Sequence, residues 1–227
     1  MYTLFTMTIF KNDFDLPAIL EDVRDAGYVF APRAVLPGVC KAMEREIGEL
    51  KMELGDHASY PINKDAPNEV RQMHERCYRP LGHPDVPVGT AVCEALSAAV
   101  GELRVPELAG WMPNEIGYQR YRGSSDWISP HRDRASDQLL SMTITIIGSA
   151  WMRIYESETD PPDYARLRKI DEFLTEPGTM MLLRAPGFGS RKQVIHEVLP
   201  PLAAPRLIVN LRMRPTVLKP PNETKWR

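Results

Sequence analysis

The chain has 227 residues, of which 43% are hydrophobic and 26% charged, and this length and composition suit one globular core. Its formal net charge of −2 gives no overall excess of cations for holding a polyanion. The three cysteines form no Cys-x-x-Cys pair, so neither a disulfide framework nor a zinc knuckle is indicated. No apolar stretch reaches membrane-spanning length. We therefore expect a single domain over residues 1–227, located in the cytoplasm and without membrane contact.

The first hundred residues have the apolar spacing of helices. Helices are predicted over 16–25, with Asp15 as the cap, over 37–53 and over 88–103. Between the second and third of these, residues 55–84 have no periodicity and are rich in Pro, Asn, Asp and Gly. This composition predicts a long loop or lid.

After residue 110 the apolar pattern changes from helical to nearly alternating. The chain thus divides into a mainly helical part with a lid over 1–112, a strand-rich core over 113–215 and a tail over 216–227. A charged interruption is predicted to hold a short helix near 164–173. The predicted strands are 115–121, 126–129, 139–147, 150–156, 179–184, 193–199 and 206–214. The predicted fold class is α+β, with a barrel or jelly roll following the helices.

A His-x-Asp pair, His131 and Asp133, lies in the strand-rich part. Positions i and i+2 of an extended segment point to the same side, so both side chains can reach one metal ion. A redox-active iron site needs a second imidazole and open coordination positions. His196, in an apolar strand, could supply it, although a lone His there is more typical of a hydrogen-bonded core residue. His83 and Asp85 form a rival pair, in a turn where Asp85 is expected to cap the next helix.

The strand over 206–212 alternates, so that Arg206, Ile208, Asn210 and Arg212 share one face and the aliphatic residues between them share the other. If the aliphatic face is covered, two guanidinium groups point into the barrel, where an unpaired charge is costly. A dicarboxylate would match them, because the guanidinium fork binds a carboxylate with two hydrogen bonds. The alternative is that both arginines lie at the surface or pair with acidic residues, namely Glu115, Glu197 or Asp126.

From about 117 to 215 the chain resembles the AlkB-type branch of the Fe(II)/2-oxoglutarate dioxygenases. That family has, in order, an aromatic strand, His-x-Asp, several strands, a distal His and two arginines six residues apart. The matching positions here are Tyr121, His131, Asp133, His196, Arg206 and Arg212. The resemblance implies a double-stranded β-helix that uses Fe(II), O2 and 2-oxoglutarate, and that couples oxidation of a C–H bond to decarboxylation of 2-oxoglutarate to succinate.

The resemblance also implies roles for individual residues. The implied Fe(II) ligands are His131, Asp133 and His196. The implied 2-oxoglutarate residues are Arg206 at the distal carboxylate, Arg212 near the other carboxylate or the metal ligands, Tyr121 through its hydroxyl, Gln119 where the family often has Asn, and Asn210. The family's repair enzymes commonly have Asn where this chain has Ile208, and this departure weakens the transfer of their substrate class.

Two substrate classes remain open, and oligomeric state is not indicated. A small metabolite or an amino-acid side chain is favoured, because it needs no basic surface and the chain is slightly acidic.

The alternative is oxidative demethylation of an N-alkylated nucleobase in DNA or RNA, which requires phosphate contacts and base stacking. The candidate substrate residues for it are Arg120, Arg122, Arg132 and Arg134, with Trp127, Trp151 and Tyr118 for stacking. These arginines could equally form a solvated face paired with Asp126 and Asp137, with the aromatic residues in the core. A non-catalytic β-barrel binding protein is the third alternative.

Overall fold

A computed structural model describes residues 8–54, 70–160, 162–189 and 192–215 of the chain. These residues form three α-helices and eleven β-strands. The helices are α1 (Leu16–Ala26), α2 (Pro37–Glu49) and α3 (Pro87–Glu102). The strands are β1 (Tyr28–Ala31), β2 (Glu53–Leu54), β3 (Gln72–Met73), β4 (Glu75–Pro80), β5 (Glu115–Tyr121), β6 (Trp127–His131), β7 (Gln138–Glu156), β8 (Arg168–Thr175), β9 (Met180–Arg184), β10 (Ile195–Val198) and β11 (Ala203–Met213).

The strands build two antiparallel sheets that share β7. The larger sheet has the order β1-β9-β7-β11-β5-β4-β2, and the smaller has the order β8-β7-β10-β6-β3. This is the double-stranded β-helix that the sequence predicts. Where two strands are predicted over 139–147 and 150–156, the structure has one strand that passes from the larger sheet to the smaller. Gly148 lies at the crossing with a φ of 71°, and a Cβ there would lie 2.7 Å from the carbonyl oxygen of Pro205.

Two separate hydrophobic cores cover the two faces of the larger sheet. On one face the helices pack against the sheet, and buried residues of this outer core include Met43, Leu96 and Val209. The other face looks into the β-helix, where a smaller inner core includes Tyr121 and Ile208. Neighbouring residues of β11 thus face opposite cores, which confirms the predicted alternation. The helices of the N-terminal part serve as the cover for the aliphatic face.

The sequence predicted the N-cap of α1 correctly and the N-cap of α3 incorrectly. Asp15 caps α1 as predicted, because its carboxylate accepts a hydrogen bond of 3.1 Å from the Ala18 amide. The predicted cap of α3 is wrong. Val86 precedes that helix and no side chain at this position caps it, while Asp85 pairs with Arg79 at 3.1 Å.

Glu46 of α2 supplies the missing cap of α3. Its buried carboxylate accepts hydrogen bonds from the amides of Val88 and Gly89, the latter at 3.0 Å. The hydroxyl of Tyr118 on β5 donates to the same carboxylate. One side chain therefore binds together two helices and the sheet, and it neutralises the exposed dipole at the start of α3.

Two segments predicted to be irregular or helical are strands. Of the predicted loop, residues 55–69 lie outside the described residues, but β3 forms at the edge of the smaller sheet and β4 lies between β2 and β5 in the larger sheet. The predicted helix near 164–173 is also wrong, because Arg168–Thr175 pairs with the second half of β7. Phe173 there stacks on Phe30 of β1, with ring centroids 4.0 Å apart. Both corrections come from pairing with distant strands, which a local pattern does not contain.

Smaller differences have similar causes. Helix α2 ends at Glu49 and not at residue 53, because Glu53 and Leu54 pair with β4. Strand β1 was not predicted, and the predicted tail over 216–227 lies outside the described residues. No helix in the described ranges is both long and apolar enough to cross a bilayer.

Glu46→Ala should lower the free energy of unfolding by about 2 to 4 kcal/mol, because it leaves buried amide groups and the Tyr118 hydroxyl without their charged acceptor. Urea denaturation would measure the loss. Glu44→Ala is the matched control on the same helix, since Glu44 is exposed, and its effect should stay within about 0.5 kcal/mol. Equal effects of the two substitutions would contradict the role of Glu46.

Candidate metal centre and anion pocket

Three potential metal ligands meet where two strands of the smaller sheet run side by side. His131 is the last residue of β6 and pairs directly with His196 of β10, so their imidazole rings lie 4.2 Å apart. Asp133 follows two residues later. One ligand atom from each of these residues lies within 4.8 Å of the others. The structure therefore brings together the three residues that the sequence predicts as an Fe(II) site.

The surroundings of both imidazoles favour the neutral form that metal binding requires. The Nδ1 atom of His131 lies 2.8 Å from the carbonyl oxygen of Ser129, and that of His196 lies 3.4 Å from the carbonyl oxygen of Val194. Because a carbonyl oxygen can only accept, each Nδ1 carries the proton and each Nε2 keeps a lone pair. Burial lowers the pKa of both rings, which keeps them neutral.

The carboxylate of Asp133 is held in its ionised form by its surroundings. Burial alone would raise its pKa, but Arg212 and the two imidazoles outweigh this effect and lower it. Arg212 lies between two carboxylates, with Nη2 3.4 Å from Asp133 Oδ1 and Nε 3.4 Å from Asp137 Oδ2. It therefore lies beside the candidate metal ligands, as predicted. The closest acids of Arg212 are not the three that the alternative interpretation of the sequence named.

Arg206 is in a very different situation from Arg212. It is fully buried, and its Nη2 donates a 3.0 Å hydrogen bond to the hydroxyl of Thr175. Its Nε and Nη1 have no hydrogen-bond partner among the described residues. Burial lowers its pKa, which reflects the cost of a charge in this environment, and the ring of Tyr121 lies 5.2 Å from the guanidinium carbon. A buried guanidinium with two unused donors is suited to an anion.

One small cavity, of about 30 Å³, connects the candidate ligands to this arginine, and we call it the inner cavity. Its walls include all eight residues predicted for the metal and for 2-oxoglutarate, namely Gln119, Tyr121, His131, Asp133, His196, Arg206, Asn210 and Arg212. The hydroxyl of Tyr121 donates to the side-chain oxygen of Gln119 at 3.0 Å, and Thr143 donates to Asn210 at 2.6 Å. The polar wall of the cavity is therefore fixed by its own hydrogen bonds.

A second cavity, of about 70 Å³, adjoins the first, and we call it the mouth. The two share Gln119, Ile128, His131, Asp133 and Arg212. The mouth is lined in addition by Val70, Gln72, Arg76, Tyr78, Arg132 and Arg134. It is therefore rich in arginine, and Arg206 is not among its lining residues.

Most arginines proposed as substrate contacts already have acidic partners. The pairs are Arg120 with Glu75 at 3.1 Å, Arg122 with Asp126 at 2.9 Å, and Arg132 with Asp160 at 3.0 Å. Arg132 and Arg134 line the mouth, whereas Arg120 and Arg122 are not among its lining residues.

The predicted stacking aromatics do not converge on the cavity. Tyr118 belongs to the outer core and binds Glu46, so its proposed contact with a base is wrong. Trp127 is half-buried in β6 and pairs with Met73 of β3, while Trp151 is 37% exposed on β7 opposite Leu174. Neither tryptophan is among the residues that line the two cavities.

The rival pair at His83 and Asp85 has local partners. Asp85 pairs with Arg79, and its amide donates to Nδ1 of His83 at 3.1 Å. Within the described ranges, a metal-ligating group of three residues forms only at His131, Asp133 and His196.

Two further residues support the site: Thr175 was not predicted, and His74 was predicted only as part of a polar lid, with Arg71, Arg76 and Arg79, that could close over an anionic small molecule. Thr175, the partner of Arg206, lies in the segment predicted as part of a charged interruption. His74 lies between β3 and β4 and stacks on Tyr121, with ring centroids 5.2 Å apart. It is fully buried, neither ring nitrogen has a partner among the described residues, and burial lowers its pKa to about 3. No local pattern marks either residue, because each gains its role from a neighbouring strand.

The comparisons with known proteins support the fold. No family model matches the chain, and no curated protein matches it. Among solved structures, a prolyl-4-hydroxylase from Pseudomonas putida is 13% identical with a TM-score of 0.56, and the match covers 88% of this chain and 99% of that one. A 2OG-Fe(II) oxygenase family oxidoreductase from Burkholderia pseudomallei is 14% identical with a TM-score of 0.54, covering 88% and 91%.

A third solved structure is a prolyl hydroxylase from Trichoplax adhaerens in complex with a peptide fragment of the hypoxia inducible factor oxygen degradation domain. It is 11% identical to this chain with a TM-score of 0.60, and the match covers 86% of this chain and 87% of that one. At these identities the likeness establishes the double-stranded β-helix fold. None of these three proteins is described as an AlkB-type enzyme.

His74 should make the folded protein less stable in acid. Its pKa is about 3 in the folded protein and about 6.5 when exposed, so below pH 6.5 the unfolded chain binds a proton that the folded chain excludes. The free energy of unfolding should therefore fall as the pH drops from about 6 to about 4. His74→Phe keeps a ring against Tyr121 and should reduce this slope by up to about 1.4 kcal/mol per pH unit. Denaturation of metal-free protein at several pH values would measure it, and parallel slopes would contradict the assignment.

Proposed function

We propose that this protein is an Fe(II)/2-oxoglutarate-dependent dioxygenase that hydroxylates a C–H bond of its substrate while 2-oxoglutarate is decarboxylated to succinate. One observation carries the proposal. The buried guanidinium of Arg206, with two unpaired donors, faces the same cavity as two neutral imidazoles and an ionised carboxylate. A metal ion and a dicarboxylate would together satisfy these groups.

The donor set suits Fe(II). His131, Asp133 and His196 would hold the ion on one face and leave the remaining coordination positions for the cosubstrate and O2. Bound there, Fe(II) with O2 and 2-oxoglutarate supplies the oxidising power for attack on a C–H bond. The chain's own contribution is to fix the two Nε2 lone pairs, through the carbonyl contacts of both imidazoles, and to keep Asp133 ionised through Arg212.

The inner cavity beside Arg206 suits the distal carboxylate of 2-oxoglutarate. Arg206 would bind it through Nε and Nη1, while Thr175 keeps the guanidinium in place through Nη2. Tyr121 and Gln119 would form the adjacent polar wall. Because the cavity of about 30 Å³ has room for only a few waters, side chains around it must move when the cosubstrate enters. The apolar inner core around the site would limit access of bulk water.

The substrate we favour is a small metabolite or an amino-acid side chain. Two structurally similar proteins are prolyl hydroxylases, one of them bound to a peptide fragment, which favours hydroxylation of an amino-acid type of substrate. Demethylation of an N-alkylated nucleobase is the alternative. It needs a free basic surface, whereas Arg120 and Arg122 are already paired with acids.

Substitution of a proposed ligand should abolish both metal binding and turnover. His131→Ala and Asp133→Ala should each remove Fe(II)-dependent formation of succinate from 2-oxoglutarate, since each removes a ligand from a set of three. Isothermal titration with Fe(II) under anaerobic conditions would measure binding directly. His83→Ala is the matched control and should bind Fe(II) like the wild type. Absence of turnover in the wild type would instead favour a non-catalytic binding protein.

Arg206→Ala should raise the concentration of 2-oxoglutarate needed for half-maximal succinate formation by about 30- to 100-fold, the effect of losing charge-assisted hydrogen bonds to a carboxylate. Affinity for Fe(II) should be unchanged, because Arg206 lies apart from the candidate ligands. Arg120→Ala is a suitable control, since Arg120 pairs with Glu75 and does not line the cavity. An unchanged 2-oxoglutarate requirement in Arg206→Ala would refute its role.

A further inference from the structure

We infer that the substrate is a small anion, and that Arg76, Arg132 and Arg134 bind its carboxylate or phosphate group at the mouth. This inference rests on the proposed function and adds to it the chemical class of the substrate. Its basis is the position, pairing and charge of the residues around the mouth.

The mouth arginines come from two separate segments of the chain. Arg76 lies on β4, where its Cα pairs with Gln119 of β5, a residue that lines both cavities. Arg132 and Arg134 flank Asp133 in the segment that follows β6. A group bound by these arginines would therefore lie next to the proposed iron site, since His131 and Asp133 also line the mouth.

Arginines outnumber acids among the residues that line the mouth. Its lining contains four arginines, Arg76, Arg132, Arg134 and Arg212, and a single acid, Asp133. That acid is already engaged by Arg212. Arg132 uses Nη1 to bind Asp160, but its Nε is buried and has no hydrogen-bond partner among the described residues. Arg134 is exposed and forms no ion pair within the described ranges. Guanidinium donors thus remain for an anion.

The rest of the lining suits a small molecule with one charged group. Tyr78 lies beneath Arg76, with its ring centroid 5.9 Å from the guanidinium carbon, and Gln72 and Val70 complete the wall. Gln119 and Ile128 line the mouth together with these residues. A nucleic acid would instead need a broad basic surface, and the neighbouring Arg122 is paired with the buried Asp126. The small-anion substrate is therefore the one that these charges favour.

The inner cavity and the mouth would bind two different anions. Arg206 lines only the inner cavity and would take the cosubstrate, while Arg76 and Arg134 line only the mouth and would take the substrate. Saturating the inner position first therefore isolates binding at the mouth.

The test uses the full chain loaded with Zn(II), which is redox-inert, and saturated with 2-oxoglutarate. Inorganic phosphate, acetate and a short single-stranded oligodeoxynucleotide are then titrated in turn, at several salt concentrations, by calorimetry. Phosphate or acetate should bind to the wild type, and the stronger of the two identifies the anionic group. Arg134→Gln should raise the Kd of that anion about tenfold, and Arg76→Gln/Arg134→Gln should raise it further.

Arg166→Gln is the matched control, because the side chain of Arg166 is 87% accessible and does not line the mouth. The Kd of the small anion for this variant should equal its Kd for the wild type. The inference is overturned if neither small anion binds, if the control weakens binding as much as Arg134→Gln, or if only the oligonucleotide binds with a steep salt dependence. Failure of Zn(II) and 2-oxoglutarate to bind would refute the proposed function separately. Phosphate titration of the metal-free chain would then still test the mouth.

Discussion

The buried charge of Arg206 is the constraint on which the rest of the structure depends. A guanidinium inside the β-helix is unfavourable unless anions or dipoles compensate it, and among the described residues Thr175 alone accepts a hydrogen bond from it. The strand that carries it is stable in this orientation because its opposite face, including Leu207 and Val209, is covered by the helices in the outer core. The N-terminal helices thus position the arginine by fixing which face of β11 looks inward, although they contribute no residue to the inner cavity.

The buried positive charges of the two arginines on this face of β11 are compensated in different ways. Arg212 has permanent partners, Asp133 and Asp137, and it stabilises a ligating carboxylate while being stabilised itself. Arg206 keeps two donors unpaired, so its compensation must come from a bound anion. One arginine therefore contributes to a preorganised metal site, and the other provides affinity for the proposed cosubstrate. An exchange between arginine and lysine at either place would lose the fork geometry on which both roles depend.

The parts that could be predicted from sequence are those encoded by short-range periodicity. Alternation predicted the inward face of β11, and the i, i+2 spacing placed His131 and Asp133 near one point, with His196 brought there by strand pairing. Residues whose roles come from distant neighbours were missed. Glu46 caps a helix 42 residues further along the chain, and β8 is a strand because it pairs with β7. Propensity within a window contains no information about such partners.

The positions of the two arginine sites limit how a substrate can meet the oxidant. His131 and Asp133 line both cavities, whereas Arg206 lines only the inner cavity and Arg76 and Arg134 line only the mouth. In the proposed function, a substrate held by its anionic group at the mouth can present only carbons a short distance from that group to the metal. The arginines would hold the anionic end of the substrate in place, and this position would determine which C–H bond lies near the metal and reacts. The two tryptophans predicted to stack on a nucleobase, Trp127 and Trp151, line neither cavity, and the ring of Tyr78 at the mouth already lies against Arg76.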